Sequence, residues 1–171
     1  MSFSINVSGI KKESLIDGPG ISFVVFLQGC LQNCPGCHNP ETRSLNGGYG
    51  ISIDELFENI LSSRGIDTVV LSGGEPFLQA VPLYFLASRL KEKGYRIVVY
   101  SGYTYEYLSG GSPYKNDNLK LLKLIDILID GPFIEKQKDL NLAFRGSKNQ
   151  RIIDVPASLK EERPVLLEYN G

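Results

Sequence analysis

Cys30, Cys34 and Cys37 stand at C-x3-C-x2-C spacing in the stretch Cys30-Leu-Gln-Asn-Cys34-Pro-Gly-Cys37-His38-Asn39, and they are the only cysteines of the chain. Three thiolates on one short loop can converge on a soft metal centre. A structural zinc site closes itself with four protein ligands. A cubane iron–sulfur cluster has four irons, each needing a ligand, so three cysteines leave one iron open to a small molecule. The residue types therefore point to a [4Fe–4S] cluster with one reactive corner. Other readings use the same residues. A disulfide framework fits poorly, because the count is odd and no secretory signal is visible. A Cys3His zinc site using His38 stays open, although adjacent ligands at Cys37 and His38 would strain a tetrahedral cage.

A second chemical motif is Ser72-Gly73-Gly74-Glu75-Pro76. Paired glycines let main chain approach a ligand closely. Strand-end carbonyls and the Glu75 carboxylate are acceptors suited to an ammonium group. A ligand with an amino acid moiety would fit there, and its own amine and carboxylate could chelate the spare iron. His38 is the only histidine. It reads either as a flank of the cluster or as a polar loop residue.

These motifs need elements to hold them. Phe23–Leu27 is a continuous apolar run, as in a strand buried on both faces, and it leads straight into the cysteine loop. Thr68–Leu71 leads into the Gly-Gly-Glu motif, Arg96–Tyr100 into Ser101-Gly102, and Ile125–Ile129 into Asp130-Gly131. Helical patterns separate them. Ser52-Ile-Asp-Glu55 is a capping box, followed by apolar residues at helical spacing up to a stop at Gly65. A helix is predicted from Pro82 to Gly94, a helical stretch over Tyr103–Leu108, and a short helix around Asn118–Lys123. Residues 3–11 alternate as a half-solvated strand. Gln150–Val155 reads as a strand, and Val165–Leu167 as a further candidate. The alternation argues for βα units with right-handed crossovers and a parallel sheet. Ligands collect at the carboxyl ends of such strands, so four polar motifs are expected to meet on one edge.

A full eight-unit barrel needs about 250 residues, which leaves this chain about five or six units. The predicted fold is thus α/β, a partial (β/α) barrel with an open parallel sheet, forming one domain over residues 1–171. An open side favours a macromolecular substrate that covers it. The composition, 42% hydrophobic and 22% charged with net charge -1, is ordinary for a globular protein and offers nothing to capture nucleic acid. No apolar run approaches the roughly 20 residues of a membrane helix. Free thiols fit a reducing cytoplasm.

The motif set resembles the radical S-adenosylmethionine (SAM) superfamily over nearly the whole chain. Asp17-Gly-Pro-Gly-Ile21, Gln28-Gly-Cys30 and Cys37-His-Asn39 resemble the activating enzymes of glycyl radical enzymes. Val99–Tyr103, Ile129-Asp-Gly-Pro-Phe133 and Arg145-Gly-Ser-Lys-Asn-Gln-Arg151 resemble, within that group, the activators of anaerobic ribonucleoside-triphosphate reductase. The resemblance implies that Cys30, Cys34 and Cys37 hold the cluster and that SAM chelates its unique iron. A one-electron donor such as flavodoxin or ferredoxin would reduce the cluster. SAM would then cleave to methionine and a 5′-deoxyadenosyl radical. That radical would abstract a hydrogen from a glycine of the partner, an anaerobic ribonucleotide reductase. Gly73, Gly74 and Glu75 would meet the methionine amine, backbone at Gly36, Cys37 and His38 would lie near adenine, and Asp130 would hold methionine or substrate polar groups.

Two departures stand out. Many superfamily members carry an aromatic where this chain has Gly36, so adenine stacking must come from elsewhere. The relatives often have arginine where this chain has Ser22. Two rival functions remain: a short radical SAM enzyme acting on a small molecule, like a carboxydeazaguanine synthase, and a zinc-stabilised binding module. Arg145, Asn149 and Gln150 read either as contacts to SAM or partner or as groups satisfying backbone around a late strand.

Overall fold

The computed structural model describes residues 3–169. One seven-stranded sheet runs in the order β3-β1-β2-β4-β5-β6-β7. Its strands are β1 (Ser4–Ser14), β2 (Ser22–Leu27), β3 (Tyr49–Ser52), β4 (Thr68–Gly73), β5 (Arg96–Tyr100), β6 (Ile127–Asp130) and β7 (Arg151–Asp154). The centre, β2-β4-β5-β6, is parallel. Both flanks are antiparallel, β1 with β2 and β3 on one side and β7 with β6 on the other. The expected five or six parallel units are therefore four parallel strands with antiparallel edges. β3 is absent from the sequence expectation, and Val165–Leu167 contributes only an isolated bridge, Leu166 to Ile153.

The described residues also form four α-helices: α1 (Ile53–Ser62), α2 (Ala80–Glu92), α3 (Lys115–Leu122) and α4 (Val155–Glu161). Ser52 caps α1, its hydroxyl accepting from Glu55 N at 3.1 Å. α1 stops at Ser63 in extended backbone, two residues before Gly65. The stretch at Tyr103–Leu108 becomes a single wide turn over Tyr107–Gly111. No helix among the described residues is long and apolar enough to cross a membrane.

Strand alternation splits the core in two. Phe23, Val25, Leu27, Val69, Leu71, Ile97, Val99, Leu128 and Ile153 pack in the layer that holds α1, α2 and α3. Val24, Val70, Val98, Ile127, Ile129 and Ile152 face the other way, joined by Phe26, Tyr100 and Phe144. This second face carries the functional cavity.

The same alternation decides where Asp130 points. Ile129 faces the cavity side, so Asp130 turns to the helix side. It is buried, accepts from Tyr105 N at 2.7 Å, and is held by Arg151 at 3.0 and 2.5 Å. Arg151 also reaches Glu106 at 3.1 and 2.7 Å. Removing one partner of a buried pair strands the other charge. Arg151→Met is expected to destabilise the fold by about 3 kcal/mol, which corresponds to a melting temperature lowered by about 6–12 °C in a chain of this size. Calorimetry on the purified variant measures this; a fall of less than about 2 °C would mean that Asp130 finds water or another partner.

Candidate radical SAM site

The cysteine loop begins where β2 ends, and its base is closed by Gln28. This glutamine is 5% exposed, and its Nε2 donates to the carbonyls of Ser44 at 2.7 Å and Glu41 at 3.2 Å. Gly29 N and Cys30 N donate to Thr42 O and Arg43 O at 2.7 and 3.1 Å. The loop thus returns to its own start, with the turn at Asn46-Gly47-Gly48 passing over Gln28. A Cβ on Gly48 would lie 2.5 Å from Val7 O, so the turn needs glycine there.

Backbone bonds tie this loop to the next strand ends. Gly74 N donates to Leu27 O and Glu75 N to Gly29 O, both at 2.8 Å. Gly73 has φ +88, and a Cβ there would meet Leu27 N at 2.6 Å; one on Gly74 would meet Gly29 O at 2.3 Å. These glycines let two strand ends touch. Glu75 then bridges onward. Its carboxylate accepts from Ser101 Oγ and Gly102 N, both at 2.9 Å, and from Phe77 N at 3.1 Å. Ser101 N donates to Ile129 O at 2.9 Å, joining the end of β6. Gln32 of the cysteine loop lies against Gly102.

The product is one cavity of about 440 Å³. Cys30, Cys34, Cys37 and His38 line it together with Gly73, Gly74 and Glu75. All three cysteines are free and half-buried. Gly36 lies in the loop with φ +73. The expected convergence of motifs at the strand ends holds for β2, β4 and β5. It fails for Asp130, which is not a wall of the cavity; at the end of β6 its neighbours Ile129 and Gly131 are. Ser22 is fully buried on β2 and is not among the residues that line the cavity.

Arg145, Asn149 and Gln150 mainly satisfy backbone. Gln150 accepts from Gly146 N and Ser147 N at 2.9 and 3.1 Å and donates to Gly131 O at 3.1 Å. Asn149 donates to Pro132 O at 2.7 Å. Arg145 adds something the sequence did not separate: it lines the cavity, and its buried Nε has no acceptor among the described residues.

A cationic group beside Glu75 would offset the cost of burying its carboxylate. Burial pushes its carboxyl up to about 7 from the ordinary 4.5, outweighing the donors around it. The folded chain therefore binds this proton more tightly than the unfolded chain. The group's contribution to stability is greatest below about pH 4.5 and declines as pH rises to about 7. Glu75→Gln in the cluster-free, reduced protein is expected to flatten the fall in urea midpoint between those pH values. The amide would also set a donor against a backbone N–H, costing about 1–3 kcal/mol. A pH slope equal to wild type would place the titration elsewhere.

The cavity fits a cluster and SAM by its own chemistry. Its donors are three free thiols and no fourth cysteine. Among the described residues, no three His, Cys, Asp or Glu side chains gather about a single ion position. A glycine-lined strand end and an unpaired guanidinium N–H stand ready for an amine and an anionic or hydroxyl group.

Comparison with known proteins agrees. The family described as the 4Fe-4S single cluster domain matches residues 16–153. The anaerobic ribonucleoside-triphosphate reductase-activating protein of Escherichia coli (strain K12) is 33% identical over 147 residues, covering 80% of this chain and 90% of that protein. Its counterpart in Vibrio cholerae serotype O1 is 34% identical over 149 residues, covering 81% and 90%. The pyruvate formate-lyase-activating enzyme of Listeria monocytogenes serovar 1/2a is 30% identical over 175 residues, covering 95% and 67%. Among solved structures, QueE from Escherichia coli superposes with TM-score 0.48 at 17% identity, covering 58% of this chain and 52% of that one. By the family match and the curated relatives, and with the cavity built as described, the chain belongs to the radical SAM family of glycyl radical enzyme activating proteins, which carry a [4Fe–4S] cluster and use S-adenosylmethionine.

Proposed function

We propose that this chain, acting as a single domain, activates an anaerobic ribonucleotide reductase by abstracting a hydrogen from a glycine of that partner. The carrying observation is the shared cavity of Cys30, Cys34 and Cys37 with Gly73, Gly74 and Glu75. When bound, the cluster and SAM together supply an electron and a primary carbon radical. Everything else is positioning by the chain. Cys30, Cys34 and Cys37 would hold the cluster as thiolates. Burial raises the Cys30 thiol above its ordinary value, so cluster binding at Cys30 includes loss of a firmly held proton. Carbonyls at the end of β4 would accept from the methionine ammonium, and Glu75, which locks the ends of β4 and β5, would face the amine. Gly36, Cys37 and His38 would border the adenosine. Arg145 Nε–H would donate to the ligand's carboxylate or a ribose hydroxyl. Asp130 is assigned no ligand.

A protein substrate is supported by the cavity rim. Ile16 borders the cavity and is 76% exposed, next to Leu15 at 75%. Adjacent exposed aliphatic residues at the mouth of a reactive site suit a docked protein that excludes water. A flavodoxin or ferredoxin is the donor class that fits a one-electron need, and three free thiols fit a reducing cytoplasm. The test is electron paramagnetic resonance of reconstituted chain, SAM, reductant and an anaerobic ribonucleotide reductase. A glycine-centred doublet on the partner is expected. SAM cleavage without any partner signal, together with turnover of a small substrate, would move the assignment to a small-molecule radical enzyme.

A further inference from the structure

Gly36 leaves the position before Cys37 without a side chain, yet the space beside it is filled from another element. A Cβ on Gly36 would lie 3.0 Å from Glu135 Oε1 and 3.3 Å from the Phe133 ring. On its other side Phe133 lies against Gly146, where a Cβ would be 3.0 Å from the ring. His38 rests on the same ring, with centroids 4.8 Å apart and planes tilted by 56°. Phe133 is only half-buried, and with His38 it walls the cavity next to Cys34 and Cys37.

The segment carrying Phe133 is pinned rather than loose. Gly131 O and Pro132 O accept from Gln150 and Asn149, and Ile134 N donates to Ser147 Oγ at 3.2 Å. Ser147, Asn149 and Gln150 of the Arg145–Arg151 motif therefore fix the segment that places this ring beside Gly36 and His38. An aromatic face held rigid between two glycines, partly open to a ligand cavity, is a stacking platform for a flat heterocycle.

We infer that Phe133, supported by His38, is the ring on which the adenine of SAM stacks, taking over from the β6–β7 connection what Gly36 cannot supply. This rests on the SAM reading of the cavity. The ligand's methionine end belongs to the glycine-rich end of β4, so the two halves of the ligand meet different residues.

That division gives the test. Binding of S-adenosylhomocysteine, which carries adenine, and of free methionine, which does not, is measured by calorimetry on the reconstituted, iron-loaded protein. Base–aromatic stacking removed by alanine corresponds to about a 5- to 150-fold loss. Phe133→Ala is expected to weaken S-adenosylhomocysteine by about tenfold or more and methionine by less than about twofold, with iron content unchanged. Phe133→Tyr should bind both as wild type does. If the alanine variant does not fold, Gly146→Ala, which pushes on the ring from its far side, should show the same selective loss. Equal weakening of both ligands, or none, would overturn the assignment of Phe133. Wild-type protein that binds neither ligand would instead overturn the SAM reading, and this proposal with it.

Discussion

Replacing any one of Cys30, Cys34 or Cys37 by alanine is expected to take iron from about four atoms per chain to about none, and SAM cleavage to background. The fold should hardly notice. All three side chains are half-exposed and free of disulfides, and among the described residues the one hydrogen bond to a cysteine sulfur is from Gln32 N to Cys30 at 3.5 Å. Substitutions at such positions usually change stability by no more than about 0.5 kcal/mol, so the cluster-free variants should melt within about 2 °C of cluster-free wild type. The pairing of a total chemical loss with a nearly silent structural one separates a cluster ligand from a core cysteine. Iron analysis after anaerobic reconstitution, beside thermal melts of the stripped proteins, reads both. A variant that keeps its iron would remove that cysteine from the ligand set. Colourless wild-type protein holding one zinc would instead support a structural module.

Gly74→Ala is expected to damage both fold and site, although the residue carries no reactive atom. Its Cβ would sit 2.3 Å from Gly29 O and 2.9 Å from Gly29 C, both backbone atoms next to Cys30. Backbone cannot swing aside as a side chain can, and the bonds from Gly74 N and Glu75 N hold the two strands in that register. Overpacking of this kind costs about 3 kcal/mol or more, a fall of about 6–12 °C in melting temperature. The cysteine loop must shift to relieve the clash, so iron uptake should fall together with stability. Gly50→Ala serves as control, since nothing lies within 4 Å of its Cβ and its φ is not positive; it should stay within about 0.5 kcal/mol of wild type. Full iron content in Gly74→Ala would show that the two strand ends move independently.

Much of this site could be read from residue order. The four parallel strands announce themselves as apolar runs ending in Cys, Gly-Gly-Glu, Ser-Gly and Asp-Gly, and the rule that ligands gather at such ends correctly placed the first three motifs around one cavity. Asp130 escaped the rule for a reason local pattern does not carry. Both faces of β6 are buried, so Ile127-Leu128-Ile129 looks the same from either side, and only packing reveals that Ile129 takes the cavity face. β3 was missed because Tyr49–Ser52 is four residues long and includes Gly50; it exists because β1 offers it an edge. Gln28 was quoted as a motif letter, but its work, closing the loop through two carbonyls, depends on where residues 41 and 44 return. Phe133 was invisible as a site residue for the same reason. Its ring matters through neighbours nearly a hundred positions away in the chain, at Gly36 and His38.

The account turns on whether this chain cleaves SAM through a cluster held by three cysteines. Anaerobic reconstitution with iron and sulfide, followed by SAM and dithionite, with 5′-deoxyadenosine quantified by chromatography, asks this directly. The expected result is 5′-deoxyadenosine from wild type and none from the Cys30, Cys34 or Cys37 alanine variants. Fully iron-loaded wild-type protein that forms none, or a cysteine variant that forms as much as wild type, would contradict it.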